Sequence, residues 1–352
     1  MYIVGLGTAH PEHRYTKADC WNAFKVSPWF DRLDRRARMV TEMVLSRDNG
    51  IEARWLAVDS LDDVFSIDPD TLHARFLAYA PLLAAQAATR ALEDAGLRAA
   101  DIDAVIVSTC TGYLCPALSS YVVESLGLRA DVHALDLVGQ GCGAALPNLR
   151  TGEALIASGR CARVLSICVE VSSAAMYLDN DVGVLISACL FGDGAGAAVL
   201  SATPALGKRR VRWMRAASII DPQHRDALRF EQRGGLLRNI LTREVPGLAA
   251  TYAARVLGDV LAAEGLQRDA IAGWIWHAGG RDVLAALRQQ LDLSETDVQH
   301  SAAMLREYGN LSSAFVYFVL QAALAADAPG GRWWLASFGA GFSSHGALLD
   351  VD

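Results

Sequence analysis

The sequence contains no long run of basic residues, and its formal net charge is −7. A nucleic-acid partner is therefore not expected, because phosphate backbones select surfaces with clustered Lys and Arg. It also lacks the roughly 18 consecutive apolar residues that a membrane-spanning helix needs, so no membrane span is expected. The segment Met1–Gly7 has neither a basic leader nor a cleavage-site pattern. It predicts a first β-strand and not a signal peptide.

The chain has no C-x-x-C pair, and its cysteines are odd in number. Most of them lie in apolar segments, which is typical of a reduced cytoplasmic protein without a disulfide framework or a structural zinc. We therefore expect a cytoplasmic protein with no metal site. The seven cysteines are Cys20, Cys110, Cys115, Cys142, Cys161, Cys168 and Cys189.

One cysteine has an unusual setting. The apolar run Leu135–Val138 ends in a Gly-rich turn, Cys142 follows, and a small-residue segment then resembles the start of a buried helix. At a helix N-terminus, free backbone N–H groups and the helix dipole favour a thiolate, and flanking glycines let a carbonyl approach closely. Cys142 is therefore a candidate nucleophile. The alternative is a small buried hydrophobe, which is the commoner role of cysteine.

The second half of the chain repeats the pattern of the first. Gly96, Ile102 and Ile106 correspond to Gly265, Ile271 and Ile275 at a constant offset of 169 (265 − 96, 271 − 102, 275 − 106). Strand Arg163–Cys168 maps onto Arg332–Ser337 at the same offset, and Cys142 maps onto Asn310 at an offset of 168. A repeat of this kind predicts a duplicated α/β unit.

The duplication has a geometric consequence. Two similar halves packed about a pseudo-two-fold axis would bring Cys142 and Asn310 to one site from opposite sides. The apolar strand Trp274–Trp276 would deliver His277 to the same region, because open α/β sheets present their ligand-binding loops at strand ends. A helix-capping role for His277 is the alternative.

Cysteine, histidine and asparagine together fit acyl transfer. Cys142 could hold an acyl group as a thioester, while His277 stabilises the thiolate and, with Asn310, donates hydrogen bonds to one carbonyl oxygen. Two such donors suit an enolate made by decarboxylation of a malonyl thioester, and no acidic partner is needed. A Cys-His-Asn hydrolase uses the same residue types. Its G-x-[SC]-x-G pattern fails here, however, because Gln140 and Ala144 replace the glycines.

Several segments, taken in order, resemble the type III polyketide synthases, the chalcone-synthase-like enzymes of the thiolase superfamily. These segments are Gly141-Cys142, Leu190-Phe191-Gly192-Asp193-Gly194, Val245-Pro246-Gly247, Trp276-His277-Ala278-Gly279-Gly280, Tyr308-Gly309-Asn310-Leu311-Ser312 and Phe338-Gly339-Ala340-Gly341-Phe342. The resemblance implies an α/β thiolase fold, with duplicated βαβαβαββ halves in a layered αβαβα core. Residues 1–204 would form the half that carries the nucleophilic Cys, and residues 205–352 the half that carries the His and Asn.

Carried over by residue, the resemblance implies that Cys142, His277 and Asn310 are the catalytic triad. Phe191 matches a gatekeeping phenylalanine between the coenzyme A tunnel and the cavity, and Ser312 matches a cavity-lining serine. Cys115 falls where plant members place a methionine at the interface of a homodimer. Plant substrates do not transfer, because two expected substrate-binding positions differ: Asn239 replaces a second gatekeeping phenylalanine, and Ala175 replaces a cavity threonine.

The implied activity is iterative decarboxylative condensation of malonyl-CoA onto an acyl-CoA starter held on Cys142, followed by cyclisation. Coenzyme A thioesters are then substrates, and no bound cofactor is expected. The basic segment Arg32–Arg38 is either the mouth that attracts coenzyme A or a solvated helix face. The alternative function is a single extension by a ketoacyl-acyl-carrier-protein synthase III-type enzyme. That enzyme usually has His-Gln-Ala-Asn where this chain has His277-Ala278-Gly279-Gly280.

Overall fold

The computed structural model describes all residues from Met1 to Asp352. The strands are β1 Tyr2–Ala9, β2 Arg14–Thr16, β3 Ala53–Trp55, β4 Ala104–Thr109, β5 His133–Val138, β6 Arg163–Glu170, β7 Gly194–Ser201, β8 Val211–Ile220, β9 Leu228–Arg233, β10 Leu236–Leu241, β11 Ile271–Trp276, β12 Gly331–Gly339 and β13 Ser343–Val351. The α-helices are α1 Lys17–Val26, α2 Pro28–Arg32, α3 Arg35–Ser46, α4 Pro69–Ala95, α5 Leu118–Leu126, α6 Ala145–Ala157, α7 Val182–Leu190, α8 Val245–Glu264, α9 Arg281–Leu291, α10 Gln299–Tyr308 and α11 Phe315–Ala325.

Nine strands form one sheet in the order β11-β12-β13-β8-β1-β7-β6-β4-β5. In the first half, β4 and β6 are parallel, and β6–β7 and β7–β1 are antiparallel. In the second half, β11–β12, β12–β13 and β13–β8 repeat that pattern. The halves meet where β1 and β8 pair antiparallel over two residues. This symmetry is the structural form of the repeat in the sequence, and the division at residue 204 stays a prediction.

The helices pack in three layers around these strands. Helices α4 and α5 cover the first half, α8 covers the second with α9 packed against it, and α6 and α11 lie between the halves, in contact with strands of both. The predicted αβαβα layering is thereby confirmed. The core follows the same plan, with one hydrophobic cluster of 57 buried residues and another of 26.

Helix α4 shows how the sequence sets these contacts. Asp68 accepts a hydrogen bond from the N–H of Thr71 at its N-terminus, and Gly96 ends it in the left-handed conformation at φ 65°. A Cβ on Gly7 of β1 would lie 2.2 Å from the carbonyl oxygen of Ala87, so only glycine allows this close packing. Pro69 occupies the first turn of α4, where its missing N–H would have no partner within the helix.

Two insertions cover one end of this core. The first consists of α1 to α3 and the two short antiparallel strands β2 and β3 that precede and follow them. The second is the separate β9–β10 hairpin. No helix in the structure has the length and apolar character needed to cross a bilayer.

Candidate active site

Cys142 lies on a 3₁₀ turn, Gly141–Gly143, between β5 and α6. The predicted strand-to-helix elbow is therefore present, although the α-helix itself begins only at Ala145. A Cβ on Gly143 would lie 3.0 Å from the backbone of Gly339, so the turn packs directly on the end of β12. The second half of the chain thus supports the nucleophile of the first.

The thiol of Cys142 is protonated in this setting. Burial raises its pKa to about 12, and a hydrogen bond from the hydroxyl of Ser312, 3.3 Å from Sγ, opposes that rise. A backbone hydrogen bond at this turn also lowers the pKa, in the direction that the sequence predicts, but the loss of solvation has the larger effect. Cys142 therefore needs a base when it attacks.

A buried carboxyl group lies beyond Ser312. The Ser312 hydroxyl is 3.2 Å from Glu170 Oε1 and 3.5 Å from the sulfur of Cys110. Glu170 Oε2 accepts hydrogen bonds from the N–H of Cys110 and the hydroxyl of Thr111, both at 3.0 Å. Glu170 is fully buried, and burial raises its pKa. The chemistry inferred for Cys142, His277 and Asn310 needs no acidic partner, yet this carboxyl is linked to Cys142 through Ser312. Its one signal was a single charge at the end of an apolar strand.

His277 directly follows β11, and its N–H donates to the carbonyl of Ala336 at 2.9 Å. Its ring lies edge-on to Phe315 at 5.5 Å, and Nδ1 is buried without a partner. Burial lowers the pKa of His277 to about 3, so the imidazole is neutral at pH 7. Burial thus favours the neutral imidazole, and a neutral imidazole that lines the same cavity as a thiol suits proton transfer during attack.

Asn310 follows α10 and is held at both ends of its amide. Its Oδ1 accepts from the N–H of Ser312 at 2.9 Å, and its Nδ2 donates to the carbonyl of Gly279 at 3.2 Å. A Cβ added to Gly279 would lie 3.8 Å from His277 Nε2 and 3.9 Å from Asn310 Nδ2. The two nitrogens therefore both lie within 4 Å of one point beside Gly279, which is compatible with joint donation to a single oxygen.

These three side chains line one large cavity of about 760 Å³. A smaller cavity of about 50 Å³, called the inner cavity below, adjoins the large one. Its lining includes Cys142, Ser312, Ala175 and Cys110. Phe191 and Asn239 line both cavities, so they flank the passage between them.

The large cavity is lined by three arginines, Arg47, Arg243 and Arg281, and by two carboxylates, Asp48 and Asp282, which lie 3.9 Å and 3.8 Å from Arg281. None of them belongs to Arg32–Arg38, which does not line it. In that segment the guanidinium of Arg32 lies over Trp29 at 5.1 Å, and that of Arg38 over Phe30 at 5.2 Å. The solvated helix face, which was the alternative for this segment, therefore fits the structure, and the coenzyme A mouth does not.

A buried arginine holds the Phe191 side of the passage. Arg54 Nη1 donates to the carbonyls of Ala188 at 2.8 Å and Phe191 at 3.1 Å. The residue before Phe191 is held as well, because the N–H of Asn310 donates to the carbonyl of Leu190 at 2.9 Å. Arg54 gave no signal in the sequence, because nothing in its short segment marks it as buried.

Comparison with known proteins agrees with this geometry. Residues 58–223 match the FAE1/type III polyketide synthase-like proteins, and residues 215–348 match the C-terminal domain of chalcone and stilbene synthases. A 3,5-dihydroxyphenylacetyl-CoA synthase of Streptomyces toyocaensis is 30% identical, covering 99% of this chain and 89% of the relative. A 1,3,6,8-tetrahydroxynaphthalene synthase of Streptomyces peucetius subsp. caesius is 31% identical over 99% of this chain and 92% of its own.

The chain belongs to the type III polyketide synthases. The crystal structure of PKS-I from the brown alga Ectocarpus siliculosus superposes with a TM-score of 0.90 at 26% identity, covering 99% of this chain and 97% of that one. The thiolase-type α/β fold and the acyltransferase class are therefore confirmed. These relatives also favour the main prediction over the single-extension alternative.

In this type III polyketide synthase, seven of the eight predicted site residues line the two cavities: Cys142, His277, Asn310, Phe191, Asn239, Ala175 and Ser312. Cys115 is the exception. It is exposed on the loop before α5 and lines neither cavity, as a residue expected at a dimer interface would.

Proposed function

We propose that this synthase extends an acyl-CoA starter with units from malonyl-CoA, with Cys142 as the nucleophile and His277 and Asn310 as the oxyanion donors. The observation that carries the proposal is the approach of His277 Nε2 and Asn310 Nδ2 to one point in the cavity that Cys142 also lines.

The first step loads the starter. The sulfur of Cys142 attacks the thioester carbonyl, and the neutral imidazole of His277 takes its proton. The C–S bond to coenzyme A breaks, and that proton passes to the departing coenzyme A sulfur. The products are an acyl-Cys142 thioester and free coenzyme A. A neutral histidine is what this step needs, because an imidazolium could not accept the proton.

The second step makes the new carbon–carbon bond. Malonyl-CoA loses carbon dioxide, and the electron pair of the broken bond becomes an enolate whose oxygen accepts hydrogen bonds from His277 and Asn310. The enolate carbon attacks the acyl-Cys142 carbonyl, the C–S bond to Cys142 breaks, and the sulfur takes up one proton from solvent, which regenerates the thiol. The chain, now on coenzyme A, returns to Cys142 for another round, and cyclisation releases the product.

The cavities support the substrate assignment. The three arginines of the large cavity suit the phosphates of coenzyme A, because guanidinium groups pair well with phosphate. Phe191 and Asn239 would gate passage into the inner cavity, where Ala175 leaves more room than a threonine. No bound metal or redox group takes part in these steps.

We further propose a cytoplasmic homodimer joined at β5. This strand is an edge of the sheet, and its side chains are exposed or half-buried. Val138, the last residue of β5, is 56% exposed, and Tyr113, on the loop after β4, is 71% exposed. Unprotected edge strands with apolar neighbours pair readily with a second chain. The loop that carries Cys115 would then lie at the contact.

The test combines malonyl-CoA with a panel of acyl-CoA starters. Intact-protein mass should show an acyl adduct, and small-molecule mass spectrometry should show products at least two ketide units longer than the starter. Cys142→Ala should lose the adduct, while Cys161→Ala, a buried cysteine that lines neither cavity, should keep it. Single extension, or acyl-enzyme that only hydrolyses, would overturn the proposal.

A further inference from the structure

The β9–β10 hairpin forms one wall of both cavities, yet it is not part of the main sheet. Leu228 and Asn239, from its two strands, line the inner and the large cavity alike. A two-stranded hairpin has little stability of its own in water. Its position therefore depends on what anchors it to the rest of the protein.

Arg238, next to Asn239, supplies an ionic anchor. Its side chain is only 10% exposed and contacts three carboxylates. Nη1 lies 3.0 Å from Glu231 on the neighbouring strand, Nε lies 2.8 Å from Asp179, and Nη2 lies 3.2 Å from Asp181. One guanidinium thus joins the hairpin to the segment that leads into α7.

That segment controls the other side of the passage. Asp181 Oδ1 caps α7 by accepting from the N–H groups of Gly183 at 2.8 Å and Val184 at 3.3 Å. Helix α7 ends at Leu190, and Phe191 is its C-terminal cap. A nine-residue helix is a rigid rod of about 13 Å, so a shift at one end is transmitted to the other. Arg238 therefore connects Asn239 with the helix that positions Phe191.

The contact between these two elements is close. A Cβ on Gly183 would lie 2.2 Å from the carbonyl oxygen of Leu241, so the start of α7 packs directly on β10. Without Arg238, Glu231 would keep only Arg229 at 2.9 Å and Asp179 only the exposed Arg233 at 4.0 Å, so no single cation would join the hairpin to Asp179 and Asp181. Like charges in a partly buried site repel, and the hairpin would move away from α7.

We propose that Arg238 is a positioning residue that fixes the width of the passage between the two cavities, and with it the length of the chain that the enzyme accepts and releases. This inference rests on the proposed polyketide synthesis. It predicts that weakening the anchor widens the passage.

The test compares three variants with the wild type on straight-chain acyl-CoA starters of increasing length. Arg238→Met removes the charge, and Arg238→Lys keeps it but cannot reach all three carboxylates. Arg233→Met is the matched control, since Arg233 lies on the same hairpin but is 64% exposed and 4.0 Å from Asp179. The ratio of long-starter to short-starter products is measured by mass spectrometry, with the KM of the longest starter.

Arg238→Met should raise the ratio of long-starter to short-starter products about tenfold. This is near the lower end of the substrate discrimination that one methylene group produces in an apolar pocket. Arg238→Lys should give a smaller rise, and Arg233→Met none. A purely structural role would lower total activity and leave the ratio unchanged.

An unchanged ratio in folded Arg238→Met would overturn the inference. If that variant does not fold, Asp179→Asn takes its place. It keeps an oxygen that can accept from the N–H of Asp181, as Asp179 Oδ1 does at 2.9 Å, and it should give the same shift more weakly. Failure of the wild type and Arg233→Met to extend any starter would instead refute the proposed function.

Discussion

The two ends of the nine-stranded sheet are equivalent in the repeat but differ in how they are closed. Beside β4 lies β5, an edge strand whose outer side has no partner. Beside β11, at the equivalent place, the chain forms α10 instead of a strand, and the hydroxyl of Ser301 on that helix accepts from the N–H of Trp276 at 3.1 Å. One end is left open for another chain, and the other is sealed by its own helix.

The same difference shapes the two halves of the site. The first elbow follows an edge strand and presents a thiol, whereas the second follows a helix and presents the amide of Asn310. In the proposed mechanism the two copies of the duplicated unit have different chemical roles. A nucleophile and an oxyanion donor cannot be the same group, so the repeat is useful only because its copies diverged.

The sharpest way to separate the two elbows is to remove their functional groups one at a time. Cys142→Ala should abolish acylation yet retain malonyl-CoA decarboxylation, because the enolate needs only His277 and Asn310. Asn310→Ala should lower decarboxylation about 10²–10³-fold, the usual cost of one oxyanion donor. Carbon dioxide release and intact mass measure the two effects. Equal loss of decarboxylation in both variants would contradict this division of roles.

One lysine substitution at each end of the sheet tests whether β5, and not β11, forms the dimer contact. Ala134→Lys places a charge on exposed β5 and should weaken the dimer about 100-fold or more, because two like charges would meet at a paired edge. Ala272→Lys, at an exposed position of β11, is the matched control and should leave the dimer intact. Light scattering after gel filtration gives the masses. A dimer that survives Ala134→Lys and dissociates in Ala272→Lys would reverse the assignment.

The second half of the chain should also contribute most to the loss of folding stability at acid pH. Its His345 is 2% exposed, and burial lowers its pKa to about 4, whereas the four histidines of the first half are exposed or half-buried. Above pH 6.5 His345 is neutral in both states. As the pH falls from 6.5 to 4, only the unfolded chain gains the proton, so the free energy of unfolding should drop by about 3 kcal/mol from this residue.

Urea denaturation at several pH values would measure this loss. His345→Gln should flatten the curve between pH 6.5 and 4, relative to the wild type. An equally steep curve in the variant would place the acid sensitivity elsewhere.

The smallest expected effect concerns the hydrogen bond between α10 and the end of β11. Ser301→Ala would leave the buried N–H of Trp276 without an acceptor and should lower the free energy of unfolding by about 1–3 kcal/mol. Ser46→Ala is the control, because the Ser46 hydroxyl only donates to an exposed carbonyl, that of Glu42. Denaturation midpoints of the two variants measure the difference. Equal midpoints would mean that the Ser301 hydrogen bond does not stabilise this end.

The sequence determined the duplicated α/β plan and singled out the three residues of the proposed triad, because both leave local signals. Glycine turns, apolar strands and a constant offset are properties of neighbouring residues, and Cys142, His277 and Asn310 each follow such a signal. The direction of the pKa shift of Cys142 could not be predicted in this way, since a helix N-terminus is visible in sequence but the loss of solvent around the sulfur is not.

Only the tertiary structure decided the long-range partners. Glu170 meets Ser312 across 142 positions, and Arg54 reaches Ala188 across 134. Arg238 finds Asp179 across 59 positions. Burial and ion pairing depend on which surfaces the fold brings together, and a residue's neighbours in the chain do not encode that. The sequence therefore identified the candidate reactive residues. The packing of distant segments determined how buried their ionisable groups are and which residues hold the passage between the two cavities.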